Sequence, residues 1–230
     1  MNALLGQMVR CAMLVNTMIL AFTGTAMSQS PAAAVRIVAF GDSLTAGYGL
    51  KPGQGFPEQL SRLLKTRGAV NVEVANAGVS GDTTAGGLGR LDWAVPEGTD
   101  AVILELGAND ALRGSSTTDA RRNLEAIIVA LKKRDIAILL AGMLAPRNLG
   151  NDYANAFDAI FPELADKHGL LLYPFFLTGV ALDPKLNQAD GLHPTAEGIA
   201  IITKRIAPKV EELIAQVRAK KSSNSGPAKF

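Results

Sequence analysis

Cysteine is almost missing from this chain: among 230 residues there is one, Cys11. A single thiol forms no intrachain disulfide, so a fold stapled by disulfides is excluded. Histidine is nearly as scarce, with only His168 and His193. The sequence holds no His-Glu-x-x-His, no cysteine–histidine cluster and no Gly-x-Gly-x-x-Gly after an apolar run. The usual signatures of metallohydrolases, structural zinc and dinucleotide binding are therefore absent, and neither a metal nor a cofactor is expected. A Gly-x-Ser-x-Gly elbow is also lacking, which disfavours the α/β-hydrolase fold.

Charge of one sign is missing too. The formal net charge is +2, yet four of the 23 basic residues (Arg10, Lys220, Lys221 and Lys229) lie near the ends, leaving 19 against 21 acidic residues in the body. A nucleic-acid partner needs a basic face, so none is expected. What is abundant is apolar residues: 48% of the chain is hydrophobic and 19% charged, enough to bury the core of one domain.

The first thirty residues differ from the rest. Arg10 is their only charge; the apolar stretch "CAMLVNTMILAF" follows, then small residues in "TGTAMSQS". That order reads as a secretory signal peptide over residues 1–28, with cleavage after Ala26 or after Ser28 both fitting. The alternative is an uncleaved anchor, but about a dozen apolar residues fall short of the roughly 20 that span a bilayer. Arg10 directly before Cys11 speaks against a lipoprotein-type site. The expectation is a periplasmic or secreted protein, with no stable membrane anchor and, once cleaved, no thiol nucleophile.

Beyond the leader, apolar runs recur at 35–40, 70–77, 100–107, 136–142 and 170–175, most of them rich in β-branched residues. Runs apolar on both faces read as strands buried in a parallel sheet. Helical patterns lie between them, near 56–67, 83–94, 118–134, 152–168 and 195–218. Within the third, Leu124, Ile127, Ile128 and Leu131 fall on one face. Alternating strands and helices predict an α/β fold: a three-layer α/β/α sandwich on a parallel sheet of about five strands, occupying residues 35–218. The closing "AKKSSNSGPAKF", residues 219–230, is polar and is expected to be a disordered tail.

Parallel sheets bind ligands where their strands end, so the strand exits carry the functional reading. After the first run comes "GDSLTAG", after the second "NAGVSGDTT", after the third "LGANDALRG", and beyond the last "DGLHPT". His168 precedes Gly169 at a helix end, a place that dipole and capping effects explain. His193 instead follows Asp190 by three residues. A serine hydroxyl becomes a nucleophile when a base takes its proton, and the base works best when a carboxylate orients it. Ser43, His193 and Asp190 supply those three parts. Acyl transfer also needs donors aimed at the oxyanion; Gly78 offers a backbone N–H and Asn109 a side-chain amide. Each residue alone reads equally well as a turn or a helix cap. Together, at successive strand exits, they make a site. Asp42 adjoins the serine and is expected to brace the turn, leaving the orienting to Asp190.

Gly41-Asp42-Ser43-Leu44, Gly78, Gly107-Ala108-Asn109-Asp110 and Asp190-Gly191-Leu192-His193 resemble, in order and spacing, the four signature blocks of the SGNH, or GDSL, hydrolase family. The body from about Val35 to Val217 is similar to the family's periplasmic branch of thioesterases, lysophospholipases and arylesterases. The resemblance implies a flavodoxin-like fold, with Ser43 as nucleophile and Asp190 and His193 completing a triad. It also implies an oxyanion hole of the Ser43 N–H, Gly78 and Asn109. The expected substrate is a small ester or a lysolipid, with thioesters as an extension of that class, and the expected state is a monomer. Two alternatives stay open: a carbohydrate acetylesterase, for which the single tryptophan, Trp93, is a poor endowment, and a non-catalytic periplasmic lipid-binding protein.

Overall fold

The computed structural model describes residues 34–224. The signal-peptide reading of residues 1–28 lies outside them. Five strands form where the apolar runs lie: β1 (Val35–Gly41), β2 (Val72–Gly78), β3 (Ala101–Glu105), β4 (Ala137–Ala141) and β5 (Leu171–Tyr173). All pair in parallel, in the order β2-β1-β3-β4-β5. Every residue of β3 is buried, whereas the edge strand β2 buries only Val72. Central strands covered on both faces need continuous apolar sequence, and an edge strand does not.

Among the described residues, eight α-helices surround the sheet: α1 (Ser43–Ala46), α2 (Phe56–Thr66), α3 (Thr84–Ala94), α4 (Ala108–Leu112), α5 (Thr117–Lys133), α6 (Asn151–Asp158), α7 (Ile160–His168) and α8 (Ala196–Asn224). Helices α2 and α8 pack together on one face; α3, α5 and α7 cover the other. This is the three-layer arrangement expected from the alternation of patterns. Helix α5 buries Leu124, Ile127, Ile128 and Leu131, its N-cap Ser116 accepts from the Asp119 N–H, and Lys132 and Lys133 end it. Phe40, Phe56, Phe157, Phe161 and Phe176 are fully enclosed in the core cluster.

Two expectations need correction. The helix predicted over 152–168 is two helices meeting at Ala159. Pro162 has no N–H to give the carbonyl four residues back, so the hydrogen-bond ladder breaks there. The tail predicted from residue 219 is helical through Asn224, because α8 is held beyond Arg218. Lys220 donates to the Asp135 carbonyl (2.8 Å), while Lys221 pairs with Asp100 (2.7 Å) and donates to the Ala34 carbonyl (2.6 Å). Residues 225–230 lie outside the described part.

Because β1 has β2 on one side and β3 on the other, the chain leaves the ends of β1 and β3 toward opposite faces of the sheet. Crevices open at such reversals. The register sets Gly41, at the end of β1, between Gly78 of β2 and Glu105 of β3. The residues that follow these ends are those of the candidate site.

Candidate active site

Asp42 caps α1, its Oδ1 accepting from the Leu44 N–H (3.0 Å), and Ser43 is the first residue of that short helix. First-turn N–H groups have no partner within their own helix, and among the described residues the Ser43 N–H donates to no protein acceptor. Ser43 is buried apart from a small opening.

An imidazole arrives from the far end of the chain. His193 Nε2 lies 2.9 Å from Ser43 Oγ, and His193 Nδ1 lies 2.7 Å from Asp190 Oδ2. An ionised carboxylate only accepts, so Nδ1 carries the proton and Nε2 presents its lone pair to the serine hydroxyl. The other Asp190 oxygen, Oδ1, accepts the N–H groups of Leu192 (2.9 Å) and His193 (3.0 Å). These bonds hold the Asp190 carboxyl down at about 2, the His193 N–H having the largest effect. The Tyr48 ring lies against the imidazole, centroids 4.6 Å apart.

Asn109, the second residue of α4, donates through Nδ2 to Asp42 Oδ2 (3.3 Å), which leaves its second amide hydrogen free for a ligand. Ser43, Asp190, His193 and Asn109 thus converge at the ends of β1 and β3, as does Asp42 in its bracing place. Gly78 does not sit there as a free donor. Its N–H is taken up by Asn76 Oδ1 (3.0 Å). A Cβ at Gly78 would run into the backbone of Ala46, so this glycine lets α1 lie against β2. In the same loop the Gly81 N–H donates to no protein acceptor among the described residues, while its carbonyl accepts from Arg113 Nη2 (3.0 Å). No group of three or more potential metal ligands occurs among the described residues.

Residues 39–201 match the family described as GDSL-like Lipase/Acylhydrolase. This chain belongs to that family. The GDSL hydrolase is 35% identical over 184 residues to Esterase TesA of Pseudomonas aeruginosa, spanning 80% of this chain and 91% of that protein. It is equally similar, 35% over 184 residues, to Thioesterase 1/protease 1/lysophospholipase L1 of Escherichia coli K12, spanning 80% and 86% of the two chains. Among solved structures it resembles AlinE4, an SGNH-hydrolase family esterase, with 45% identity, a TM-score of 0.67 and coverage of 86% and 100%.

Beneath Ser43 the chain carries polar residues that sequence patterns do not single out. Glu105, wholly buried at the end of β3, accepts from Thr45 Oγ1 (2.7 Å) and faces the N–H groups of Asp42 and Thr45. Burial, then the nearby Asp42 charge, pushes its carboxyl well above the usual range. Burial also pushes Asp42 up to about 6, against the Leu44 and Asn109 hydrogen bonds. Arg90 of α3 fastens the strand ends, donating to the carbonyls of Gly41 (2.8 Å) and Ala77 (2.9 Å) and to Asp82 Oδ2 (2.5 Å). Asp110 accepts the backbone N–H and hydroxyl of Thr84 at 2.8 and 2.7 Å, tying α4 to α3. A lone carboxylate inside "AVILELG" is the one visible signal for Glu105; the partners of Arg90 are largely backbone groups that no spacing reveals.

Proposed function

We propose that this protein is a serine esterase that hydrolyses the carboxylic ester bonds of lysophospholipids, acyl esters or aryl esters, with thioesters as an extension of that class, through an acyl-enzyme. The observation that carries the reading is the continuous chain Ser43 Oγ, His193 Nε2, His193 Nδ1, Asp190 Oδ2, with links of 2.9 and 2.7 Å. Ser43 Oγ attacks the ester carbonyl carbon while its proton passes to His193 Nε2. The imidazolium is steadied by Asp190, and the tetrahedral oxyanion receives hydrogen bonds from the Ser43 N–H and Asn109 Nδ2. Gly81, not Gly78, is the glycine of the second loop whose N–H is available as a third donor. Collapse of the intermediate breaks the bond to the alcohol oxygen, which takes the proton from His193. Water, deprotonated by the same histidine, then releases the acid and restores Ser43.

Family membership and relatives named as esterase and lysophospholipase support this class of reaction. Every group in the mechanism comes from one chain, so a monomer suffices. Exposed Tyr48, Val79, Leu144 and Leu192 in loops, with Leu112 at the end of α4, supply apolar surface for an acyl chain. Arg10, the apolar stretch after it and the small residues at 23–30 support export, which makes the cytosolic acyl-CoA pool an unsuitable source of substrate. The carbohydrate reading gains nothing from Trp93. That side chain is 71% exposed near the end of α3, with the Arg90 guanidinium 5.9 Å from its ring, and one tryptophan is little for a sugar-stacking platform.

The test is hydrolysis of p-nitrophenyl esters from acetate to palmitate by wild type and Ser43→Ala. Wild-type turnover that falls about 10⁵-fold or more in the variant is expected. Near-normal activity in folded Ser43→Ala would remove the assignment.

A further inference from the structure

The Ser43–His193 contact joins residues 150 positions apart, and the segment carrying the base is bonded mostly to itself. Asn187 bridges to Pro194; the N–H groups of Gln188, Gly191 and Thr195 donate to the carbonyls of His193 (2.7 Å), Gln188 (2.9 Å) and Leu186 (2.8 Å). These bonds stiffen the turn without saying where it sits relative to the serine. Among the described residues, two polar contacts cross from 186–195 to the nucleophile segment 41–50. One is the catalytic contact itself. The other is Gln188 Nε2, which donates to the Tyr48 carbonyl (2.8 Å) and also to the Pro194 carbonyl (3.0 Å).

We propose that Gln188 is a positioning residue that clamps the base turn onto the nucleophile turn and so sets the Ser43–His193 distance. Both amide hydrogens of Gln188 are used, one on each turn, and a primary amide is the smallest side-chain group that offers two such donors. Gly49 makes room for it: at φ +73° it adopts a backbone conformation that suits glycine, and a Cβ there would strike Gln188 Oε1. The clamp also fixes Tyr48, whose ring faces the imidazole at 4.6 Å. A shift of about 1 Å between reacting groups costs on the order of 10²-fold in rate, so a tether five residues from the base acts on turnover.

The proposal rests on the serine-esterase reading, and its test separates the two. Gln188→Glu keeps size and packing but replaces both donors with acceptors facing two carbonyls; Gln188→Ala removes them. Both variants are expected to lose about 10- to 100-fold in kcat with KM within about twofold, counted per folded molecule. Arg134→Ala serves as a comparison, since Arg134 Nη2 donates to the carbonyls of Val95 (2.5 Å) and Pro96 (3.2 Å) and ties the end of α5 to the end of α3, where β3 and β4 begin and not where they end. It is expected to lower Tm while kcat stays within about twofold. Crystal structures of wild type and Gln188→Ala supply a readout independent of turnover. Loss of the Ser43 Oγ–His193 Nε2 hydrogen bond in the variant supports the clamp even if no ester proves to be a substrate. Retention of that bond with unchanged kcat, or Gln188→Glu matching wild type, would overturn it.

Discussion

Two aspartates flank the Ser43–His193 pair, and their surroundings push them in opposite directions. Asp42 is fully buried; it accepts one backbone N–H and one amide, and burial prevails, raising its carboxyl to about 6. Asp190 lies on a partly exposed turn and accepts three N–H groups, two from its own backbone neighbours and one from the imidazole, which hold it at about 2. The residue type is the same and proximity to the serine favours Asp42, yet only Asp190 contacts the base. A carboxylate that stays ionised throughout the working pH range is suited to an imidazolium forming beside it. One that is costly to ionise is suited to bracing a buried turn.

The sharpest way to break this contrast is to neutralise each aspartate in turn. Asp190→Asn lets the side-chain amide donate to Nδ1 and favours the wrong tautomer, so kcat should fall about 10⁴-fold, with a drop in Tm near neutral pH that solvent screening keeps small. Because the folded-state pKa of Asp190 is depressed, its stabilising share is present above pH 4 and is lost as pH falls from about 4 to about 2. Chemical denaturation of wild type and variant across that interval reads the share directly.

Asn109→Ala strikes the group that Asp42 orients. One oxyanion donor is worth about 10²–10³ in turnover, and steady-state kinetics should show a loss of that size in kcat and a smaller change in KM. Asp42→Asn is expected to have the smallest catalytic effect, less than about tenfold, because Leu44 still finds an acceptor and the bond it loses, to Asn109 at 3.3 Å, is the longer of the two. Its signature is in stability. A raised folded-state pKa gives stability that is complete below pH 4 and is lost as pH rises through about 6. For a shift of about 2 units the loss is about 3 kcal/mol. Urea unfolding between pH 4 and 7 should therefore show a shallower decline in Asp42→Asn than in wild type, Glu105 supplying the remainder.

Much of this architecture is legible in the amino-acid sequence, for physical reasons that also mark the limit. Strands such as Ala101–Glu105 announce themselves because both faces are covered, and Leu124, Ile127, Ile128 and Leu131 because one helical stripe is. Strand order leaves no such trace. Pro162 is visible as a residue, but the apolar pattern runs on either side of it and hides the break at Ala159. Ser43, Asn109, Asp190 and His193 stand out because strand exits concentrate chemistry. Gly78 misleads, because a glycine next to a site looks alike in sequence whether it offers an N–H or only the absence of a Cβ. Glu105, Arg90 and Gln188 bond largely to backbone groups of distant segments, and backbone groups carry no sequence signature.

The central claim is that Ser43 is activated by His193 under the control of Asp190 and not of Asp42. Its most direct test is the rate of covalent labelling by a p-nitrophenyl alkylphosphonate, with the adduct located by peptide mass spectrometry in wild type, Asp190→Asn and Asp42→Asn. One adduct on Ser43, formed orders of magnitude more slowly in Asp190→Asn and within about tenfold of wild type in Asp42→Asn, is the expected result. An adduct on another residue, or equal slowing by the two substitutions, would contradict the account.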